Sequence, residues 1–421
     1  MKRDAHILAI PNEDGFGPPA LLCYVVKEVL KQRPDCHVTI WNQSRHLFNE
    51  SLYRDYICQG RVNVVPVWNL IQLDKDRETG NVSIPGTLRL IGDYRSASDH
   101  YPLIAATPMF DLVVEFGVPA AARWAAIRGF PSVSIFDHSW AKTLQMILED
   151  ADKKLSAATL VSDTDRAQWK RLVKDIADDE GFTKKLVLFP EFITPTVFLD
   201  HWKKTIVPSS ISHLPGVLGG RPAWERSDAM KHFGLSAEGD ILMIQGGDTA
   251  ACAQLILKLV PAFLNDREQL EKLGLNVVIF VPKCLEDHST IRLLRDQGPN
   301  FQRVRAFSPV PGGTIQEVLP FVKLLVTRAG GGTVNDAVAC RTPFVCIPES
   351  TQSQVQAIFD ACIRRGITRP ILFDPAKRAK DAENAILRAF QAPANARLVE
   401  NMKEISVRAE EKLVQQVLAA L

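Results

Sequence analysis

The sequence predicts an α/β protein with two doubly wound, Rossmann-like domains. The chain has 421 residues, which suits two domains of roughly 200 residues each. Short apolar runs rich in β-branched residues alternate with longer amphipathic segments, a pattern typical of βα units around parallel sheets buried on both faces. The alternation pauses once, over residues 190–240, and then begins again, so each half of the chain is expected to form its own sheet.

The first series of runs predicts an N-terminal domain, which we assign to residues 1–205. A helix is expected after Gly17, because prolines suit a first helical turn and apolar residues follow at helical spacing. The predicted strands of this series are 5–10, 37–41, 62–68, 111–116, 131–136 and 186–189.

The second series predicts a C-terminal domain over residues 206–395. The segment 190–240 between the two series is rich in Pro, Gly, Trp and His, and we interpret it as the inter-domain connection. The predicted strands of the second series are 241–245, 276–282, 301–307, 323–329, 343–349 and 369–373.

The last segment, residues 396–421, predicts a single amphipathic helix that packs back across the domains. Its apolar residues recur at three- and four-residue steps, which places them on one stripe of a helix. The stripe consists of Leu398, Met402, Ile405, Ala409, Leu413 and Val417.

Composition and charge argue against several classes of protein. The chain carries 50 basic and 48 acidic residues, a net charge of +2, without a basic tail or stripe for gripping nucleic acid. The first apolar run ends at Pro11, which is too short for a signal peptide, and no run reaches the roughly 18 apolar residues of a membrane helix. We therefore expect a cytoplasmic protein.

The eight cysteines include no C-x-x-C pair and the histidines show no ligand spacing, so we expect neither a disulfide framework nor a metal.

A first candidate binding turn follows the strand at 241–245 and consists of Gly246, Gly247, Asp248 and Thr249. Glycines let backbone amides approach a ligand closely, and the helix that follows offers unpaired N–H groups suited to a diphosphate. A plain connection in which Asp248 or Thr249 caps the helix is the alternative interpretation.

A second candidate turn follows the strand at 323–329. Gly330, Gly331 and Gly332 lead there to Thr333 and Asp336. Three glycines in a row are entropically costly, and their plausible use is a bare amide surface for phosphate oxygens. We expect Asp336 in the first helical turn, where its carboxylate could accept hydrogen bonds from two ribose hydroxyls. Thr333-x-x-Asp336 is also a capping-box pattern, and the two roles are compatible.

Glutamines crowd the start of the helix expected after the strand at 343–349. They are Gln352, Gln354 and Gln356. An amide both donates and accepts, which suits sugar hydroxyls, although a solvated helix start is the simpler interpretation of any one of them.

As a set, these turns resemble a known block. TRAGGGTVNDAVACRTPFVCIPE (residues 327–349) resembles the nucleotide-binding region of GT-B glycosyltransferases, in particular the peptidoglycan lipid-intermediate N-acetylglucosaminyltransferase and the UDP-glycosyltransferases. The resemblance extends over roughly residues 240–365. It implies two Rossmann-like domains that face each other across a cleft, with a nucleotide-sugar donor on the C-terminal one. FQRVRAFSPV resembles the segment that holds the nucleotide base, which falls on Phe307 and Ser308, and the glutamines resemble donor-sugar contacts.

In the first half, PNEDGFGPP stands where that family has a glycine-rich loop ending in a histidine. Gly15, Phe16 and Gly17 fit an acceptor loop. Pro18 and Pro19 stand where the histidine would be, so the family's usual base is missing from this position.

Inverting transfer needs a base for the acceptor proton and a stabilised leaving diphosphate. Asp137 and His138 come directly after the strand at 131–136, and Glu13 and Asp14 follow the first strand. We select His138 as the first catalytic candidate, because histidine is the residue type whose unperturbed pKa best suits neutral pH. Asp14 is the second candidate, and Asp137 is kept as an acceptor contact. Arg328 could add positive charge at the diphosphate.

A D-x-D motif that could hold a metal occurs at Asp163 and Asp165. We interpret this pair as a helix start and predict a metal-independent enzyme without a cofactor.

The predicted partners are a nucleotide-sugar, with UDP as the default for the family, and a small-molecule, lipid or glycan acceptor. Residues 45–100 suit either a mobile acceptor loop or an ordinary connector. Peripheral membrane contact and the oligomeric state stay open. Two further interpretations also stay open: a non-catalytic nucleotide-sugar-binding subunit and a nucleotide-sugar 2-epimerase.

Overall fold

The structure is a computed structural model. It describes residues 4–12, 17–41, 54–67, 70–74, 82–100, 109–136, 138–153, 161–218, 224–235, 238–245, 247, 250–281, 285, 287–297, 303–307, 315, 318–348, 353–371, 378–407 and 409–421. Contacts divide the chain into two compact units. Unit 1 comprises Met1–Asp74, Val82–Gly220 and Arg408–Leu421, and unit 2 comprises Lys75–Asn81 and Arg221–Val407. The units therefore divide at Gly220 and Val407, whereas the limits predicted from the sequence were 205 and 395, which stay predictions.

Unit 1 contains a seven-stranded sheet in the order β3-β2-β1-β4-β5-β6-β7, whose neighbouring strands are parallel. Its strands are β1 Ala5–Pro11, β2 Cys36–Trp41, β3 Val62–Val65, β4 Leu112–Phe116, β5 Ser132–Phe136, β6 Leu186–Leu188 and β7 Ile211–His213. A short strand, β8 Gly216–Val217, follows.

Helices cover the faces of this sheet. In the described part of unit 1 they are α1 Gly17–Gln32, α2 Arg54–Cys58, α3 Ile84–Ile91, α4 Tyr94–His100, α5 Pro119–Arg128, α6 Trp140–Lys153, α7 Asp163–Glu180, α8 Thr196–Thr205 and the C-terminal helix Glu410–Leu418. On one face, Leu8 and Val113 belong to a core that includes Trp124 of α5, Leu144 of α6 and Ile176 of α7. Because the apolar strands are buried on both faces, they read in the sequence as continuous apolar runs.

Unit 2 contains a five-stranded sheet in the order β11-β10-β9-β12-β13, again with parallel neighbours. Its strands are β9 Asp240–Gln245, β10 Leu275–Phe280, β11 Val304–Phe307, β12 Val322–Thr327 and β13 Phe344–Cys346. Its described helices are α9 Arg226–His232, α10 Ala250–Asn265, α11 Arg267–Lys272, α12 Ser289–Gln297, α13 Gly331–Cys340, α14 Ser353–Arg365, α15 Ala379–Gln391 and α16 Ala394–Lys403.

The prediction of one helix over residues 396–421 is wrong. The segment forms the end of α16, then the strand β14 Ser406–Val407 and the helix α17 Glu410–Leu418. Ile405 and Val407 are β-branched, which weakens helix propensity at the break. The stripe residues Met402, Ile405 and Leu413 are nevertheless buried, so the apolar spacing continues across the break and conceals it.

The interpretation of residues 190–240 as a connection is also wrong for much of that segment. It contains α8 and β7, and β7 is the last strand of the seven-stranded sheet. Its sequence, ISH, is only partly buried, since an edge strand needs no apolar run, and the sequence therefore gives no strand signal there.

The two parallel sheets confirm the predicted α/β class. In both sheets the strand order runs outward from the first strand in one direction and then reverses, between β1 and β4 and between β9 and β12. Open α/β sheets bind ligands beyond the carboxyl ends of the strands at such a reversal. Among the described residues, no helix is both long enough and apolar enough to cross a membrane.

Candidate functional site

The two glycine turns predicted from the sequence follow β9 and β12, the strands between which the strand order of unit 2 reverses. β9 and β12 are neighbours, and Gln245 at the end of β9 is paired in register with Thr327 at the end of β12. The segments that follow these two residues therefore start from the same edge of the sheet. Gly247 is described and has a φ of 59°. Gly246, Asp248 and Thr249 lie outside the described residues.

Arg328 lies directly against the first of these turns. A Cβ placed on Gly247 would come within 3.0 Å of both Nε and one terminal nitrogen of the Arg328 guanidinium, and a Cβ on Gly330 would come within 3.7 Å of Nε. Only glycine leaves room for this approach and also tolerates the positive φ at residue 247. The structure thus brings a half-buried cation together with both glycine turns.

The second glycine turn opens α13, a helix of ten residues. Gly330 is its N-cap, and Gly331 and Gly332 form its first positions. The N–H groups of a first helical turn have no acceptor within the helix, and the positive end of the helix dipole lies there. These positions carry no side chains, so no Cβ stands between their amides and an anionic ligand; Gly331 is buried and Gly332 is half-buried.

The predicted placement of Thr333 and Asp336 needs correction. The helix begins at Gly331, so Thr333 is its third residue and Asp336 its sixth, in the second turn. The capping box is therefore wrong: Gly330, not Thr333, is the N-cap. Two of the three glycines are helical, at the first two positions of the helix, although glycine lowers helix propensity. Asp336 is half-buried and accepts a hydrogen bond from the side-chain amide of Asn335, Nδ2 to Oδ1 at 3.3 Å.

Phe307 lies at the carboxyl end of β11 in a cluster of three phenylalanines. Its ring centroid is 4.7 Å from that of Phe233 and 6.1 Å from that of Phe280. Phe307 is half-buried, whereas Phe233 and Phe280 are buried, so the cluster holds the Phe307 ring at the end of the sheet. Ser308 lies outside the described residues.

The glutamines begin a helix, as predicted, at least for the two that are described. Gln354 and Gln356 belong to the first turns of α14 and are half-buried. Gln356 donates from Nε2 to Oδ1 of Asp360 at 2.8 Å, an i,i+4 pair along the helix surface that favours a structural role for it. Gln352 lies outside the described residues.

In unit 1, Asp14, Gly15, Phe16 and Asp137 lie outside the described residues, while Gly17 begins α1. His138 precedes α6 and is half-buried. Its ring stands edge-on to that of Trp140, with centroids 4.8 Å apart, and lies 5.9 Å from that of Phe198 in α8. The predicted base is thus held between two aromatic side chains.

Sequence reasoning missed a buried carboxyl group in the same unit. Glu115 lies in the central strand β4 and is fully buried. Burial raises its pKa from 4.5 to about 8, an effect that the backbone N–H of Val118 opposes and the charge of Glu180 increases. Val118 N donates to Glu115 Oε2 at 2.7 Å. The sequence signal that could have revealed it is the single glutamate within the apolar run DLVVEF, since a charged residue inside a buried strand pattern indicates a buried carboxyl group.

A second missed group is the pair of buried acids that ends α7, Asp179 and Glu180. Asp179 accepts hydrogen bonds from Tyr94 at 2.9 Å, Ser98 at 3.0 Å and Arg95 at 2.8 Å. Burial raises the pKa of Asp179, and the hydrogen bond from Tyr94 and the charge of Arg95 oppose this rise. Because α7 is largely polar, neither acid stands out in the sequence.

The D-x-D pair begins a helix, as predicted. Asp163 is the first residue of α7, and the N-cap Ser162 accepts a hydrogen bond from Asp165 N at 3.0 Å. Asp165 Oδ2 in turn accepts one from Ser162 Oγ at 2.7 Å, which completes a capping arrangement. Within the described part of the chain, no cluster of three or more His, Cys, Asp or Glu side chains could hold a metal ion.

Comparison with known proteins identifies the fold. No family model matches the chain, and no curated protein matches its sequence. Among solved structures, the glycotransferase of kitacinnamycin is similar with a TM-score of 0.63 and 15% identity, covering 100% of both chains. A calicheamicin glycosyltransferase gives 0.58 and 16%, covering 100% of this chain and 98% of that one. UDP-glucose: anthocyanidin 3-O-glucosyltransferase in complex with UDP gives 0.56 and 13%, covering 99% and 95%. The chain therefore has the GT-B fold that the sequence predicted.

Proposed function

We propose that this protein is a glycosyltransferase that transfers a sugar from a nucleoside diphosphate, UDP by preference, to an acceptor hydroxyl or amine. The observation that carries the proposal is the arrangement in unit 2, where Arg328 lies against both glycine turns at the reversal point of a parallel sheet. A cation, bare amides and a helix N-terminus together suit a diphosphate. The likeness in fold to glycosyltransferases, one of them in complex with UDP, supports the same function.

Each part of the donor has a proposed contact. The diphosphate lies against the amides of Gly247, Gly331 and Gly332 and the Arg328 guanidinium, the ribose hydroxyls bind the Asp336 carboxylate, and the base lies at Phe307. Ser308 and the turn residues Gly246, Asp248 and Thr249 complete this predicted site. Gln352 and Gln354 are proposed sugar contacts, and Gln356 is the weakest candidate because it is bonded to Asp360.

In the proposed reaction the acceptor oxygen attacks the anomeric carbon and its proton passes to the imidazole of His138. The bond from this carbon to the diphosphate oxygen breaks with inversion, and UDP leaves with the electron pair. Arg328 and the amides stabilise the charge that develops on the leaving group, so no metal is required. Asp14 is the alternative base, and Asp137, Gly15, Phe16 and Gly17 are proposed to contact the acceptor.

We propose that the acceptor is a small molecule. The similar structures are those of glycosyltransferases named for anthocyanidin, calicheamicin and kitacinnamycin, which favours a small-molecule acceptor over the lipid-linked acceptor of the lipid-intermediate enzymes. We propose that the transfer takes place in the cytoplasm.

Calorimetric titration with UDP, TDP, GDP and their sugars tests the donor site. We expect UDP to bind, and Asp336→Ala to weaken its binding by about tenfold or more through the loss of the ribose contact. Because Asp336 is not a cap, the stability of the variant should stay within about 0.5 kcal/mol of that of the wild type. Asp296→Ala, which removes an exposed carboxylate from α12, is the matched control and should bind UDP normally.

A screen of small phenols and alcohols with UDP-glucose, read out by UDP release and by mass spectrometry of the glycoside, tests transfer itself. The anomeric configuration of the product tests inversion, and addition of EDTA tests metal independence. UDP binding without transfer to any acceptor would favour a binding subunit, and conversion of a UDP-sugar without an acceptor would favour an epimerase. Failure of every nucleotide to bind would refute the donor site.

A further inference from the structure

Glu180, the last residue of α7, is a fully buried carboxylate that joins two other helices. It accepts hydrogen bonds from Ser139 Oγ at 3.0 Å and 2.9 Å, from Ala141 N at 3.3 Å and from His201 Nε2 at 3.0 Å. A buried charge is tolerated only when such partners satisfy it. The side chain therefore fixes these three groups relative to one another.

The first of these links holds the start of α6. Ser139 Oγ donates to Glu180 and accepts from Lys142 N at 3.0 Å, which makes it the cap of the first turn of this helix. Ala141 N, in the same turn, is bonded to Glu180 itself. Trp140, between them, donates from Nε1 to the carbonyl oxygen of Gly117 at 2.9 Å. The amides of Ala141 and Lys142 are thus committed to protein groups.

The second link holds α8. His201 is half-buried in this helix, and Phe198 lies three residues earlier, which places the two side chains on neighbouring positions of one helix face. The bond between His201 and Glu180 therefore ties the helix that carries Phe198 to the end of α7.

These two links converge on one residue. Among the described residues, the rings of Trp140 and Phe198 lie beside that of His138. Glu180 is bonded to Ser139, which precedes Trp140 in the sequence, and to His201, which lies on the same helix as Phe198. We propose that Glu180, acting through Ser139 and His201, is the positioning residue of His138. This inference rests on the proposed function, in which His138 is the base, and extends it to the residues that orient the base.

The geometry of His138 can be tested without a substrate. Its ring protons lie within the ring currents of Trp140 and Phe198, and their NMR signals are identified by their absence from the spectrum of His138→Gln. We expect Glu180→Gln, which replaces an acceptor for His201 by an amide donor, to displace these signals. Ser139→Ala, which cuts the other link, should displace them as well.

Tyr94→Phe is the matched control. It also removes a buried hydrogen bond at the end of α7, the one from Tyr94 to Asp179, and this hydrogen bond involves no group of α6 or α8. We expect it to leave the signals of His138 in place. If Glu180→Gln does not fold, Ser139→Ala and His201→Gln test the two links separately.

Turnover of UDP-glucose, with the acceptor found in the screen, tests the consequence. Misplacement of a base by a fraction of an ångström lowers kcat while donor binding persists. We expect Glu180→Gln and Ser139→Ala to lower kcat about 10- to 100-fold with the KM for UDP-glucose changed less than about twofold. Ser139→Thr, which keeps the hydroxyl, should restore much of the rate.

The two readouts separate failure of this inference from failure of the proposed function. His138 signals that are unchanged in folded Glu180→Gln and Ser139→Ala would overturn the positioning role, whatever the enzyme does. A wild type that binds no UDP-sugar would refute the proposed function, and displaced signals would still establish the structural link. Displaced signals with unchanged kcat would show that His138 is not the base and overturn the inference as stated.

Discussion

Gly247 is the residue at which the donor site is most sensitive to a single methyl group. Its φ of 59° is costly for any residue with a Cβ, and a Cβ would meet the Arg328 guanidinium at 3.0 Å. We expect Gly247→Ala to displace Arg328 and to weaken UDP binding about tenfold or more, since a charge-assisted contact to the diphosphate is lost. Calorimetric titration with UDP measures the effect.

Gly60→Ala separates backbone strain from this collision. Gly60 has a similar φ of 68°, and nothing lies within 4 Å of the position its Cβ would take. Both variants should lose about 1 kcal/mol of stability from the positive φ. Equal UDP affinity in the two variants would show that Arg328 does not contribute to the donor site.

Glu115 should make the stability of unit 1 depend on pH. Its pKa rises from 4.5 to about 8 on folding, so the folded state holds a proton that the unfolded chain has released between these values. The free energy of unfolding therefore falls as the pH rises from about 4.5 to about 8, and above about pH 8 this group changes it no further. Glu115→Gln, an isosteric neutral group, should remove this loss and stabilise unit 1 by ~3 kcal/mol at pH 7.

Urea unfolding followed by tryptophan fluorescence measures this change. Among the described residues, the buried tryptophans all belong to unit 1 and are Trp41, Trp124, Trp140, Trp169 and Trp202. Glu149→Gln, on the exposed surface of α6, is the control and should give a small difference that does not vary with pH. A gain for Glu115→Gln that is the same at pH 5 and pH 8 would contradict the shift.

At the scale of elements, most strands could be predicted because their burial on both faces makes them continuous apolar runs. β1, β9 and β12 begin or end within a few residues of the predicted limits. β7 could not be predicted because it has no apolar run. The break before α17 could not be predicted because the apolar spacing continues across it. The glycine turns were visible in the sequence, but the contact of Arg328 with Gly247 depends on the pairing of β9 with β12.

Buried acids set a different limit on prediction. Glu180 looks like one of many charges on α7 until the structure places it among Ser139, His201 and Ala141. The partners lie 39 to 41 residues before it and 21 after it, and no local pattern relates them. The fold of this site was therefore accessible from sequence, whereas the groups that orient its side chains were not.

α17 is an element whose contribution can be measured directly. Val417 is 1% exposed and meets Ile7 and Val114 of the sheet and Val25 of α1 around a small apolar cavity. We expect Val417→Ala to destabilise unit 1 by about 2 kcal/mol, since it removes buried methyl groups and enlarges a cavity. Tryptophan fluorescence in urea reports this loss.

Ile127→Ala provides the comparison for this element. Ile127 is 63% exposed on α5 of the same unit, so its truncation should change stability by no more than about 0.5 kcal/mol. Equal effects of the two substitutions would mean that α17 does not belong to the core of unit 1.

For the whole molecule, the presence of a separate core in each unit determines how a ligand acts on stability. Leu242, Ile244 and Val326 belong to the core of unit 2, and Leu8 and Val113 to that of unit 1. Because the proposed diphosphate, ribose and base contacts all lie in unit 2, UDP at about 100 times its Kd should stabilise that unit by ~2.7 kcal/mol.

Amide hydrogen exchange, followed residue by residue, resolves the two cores. We expect exchange at Ile244 and Val326 to slow by about two orders of magnitude and exchange at Leu8 and Val113 to stay within about threefold, while Asp336→Ala abolishes the effect. If exchange slows in unit 1 alone, the nucleotide binds unit 1, and the proposed donor site in unit 2 is wrong.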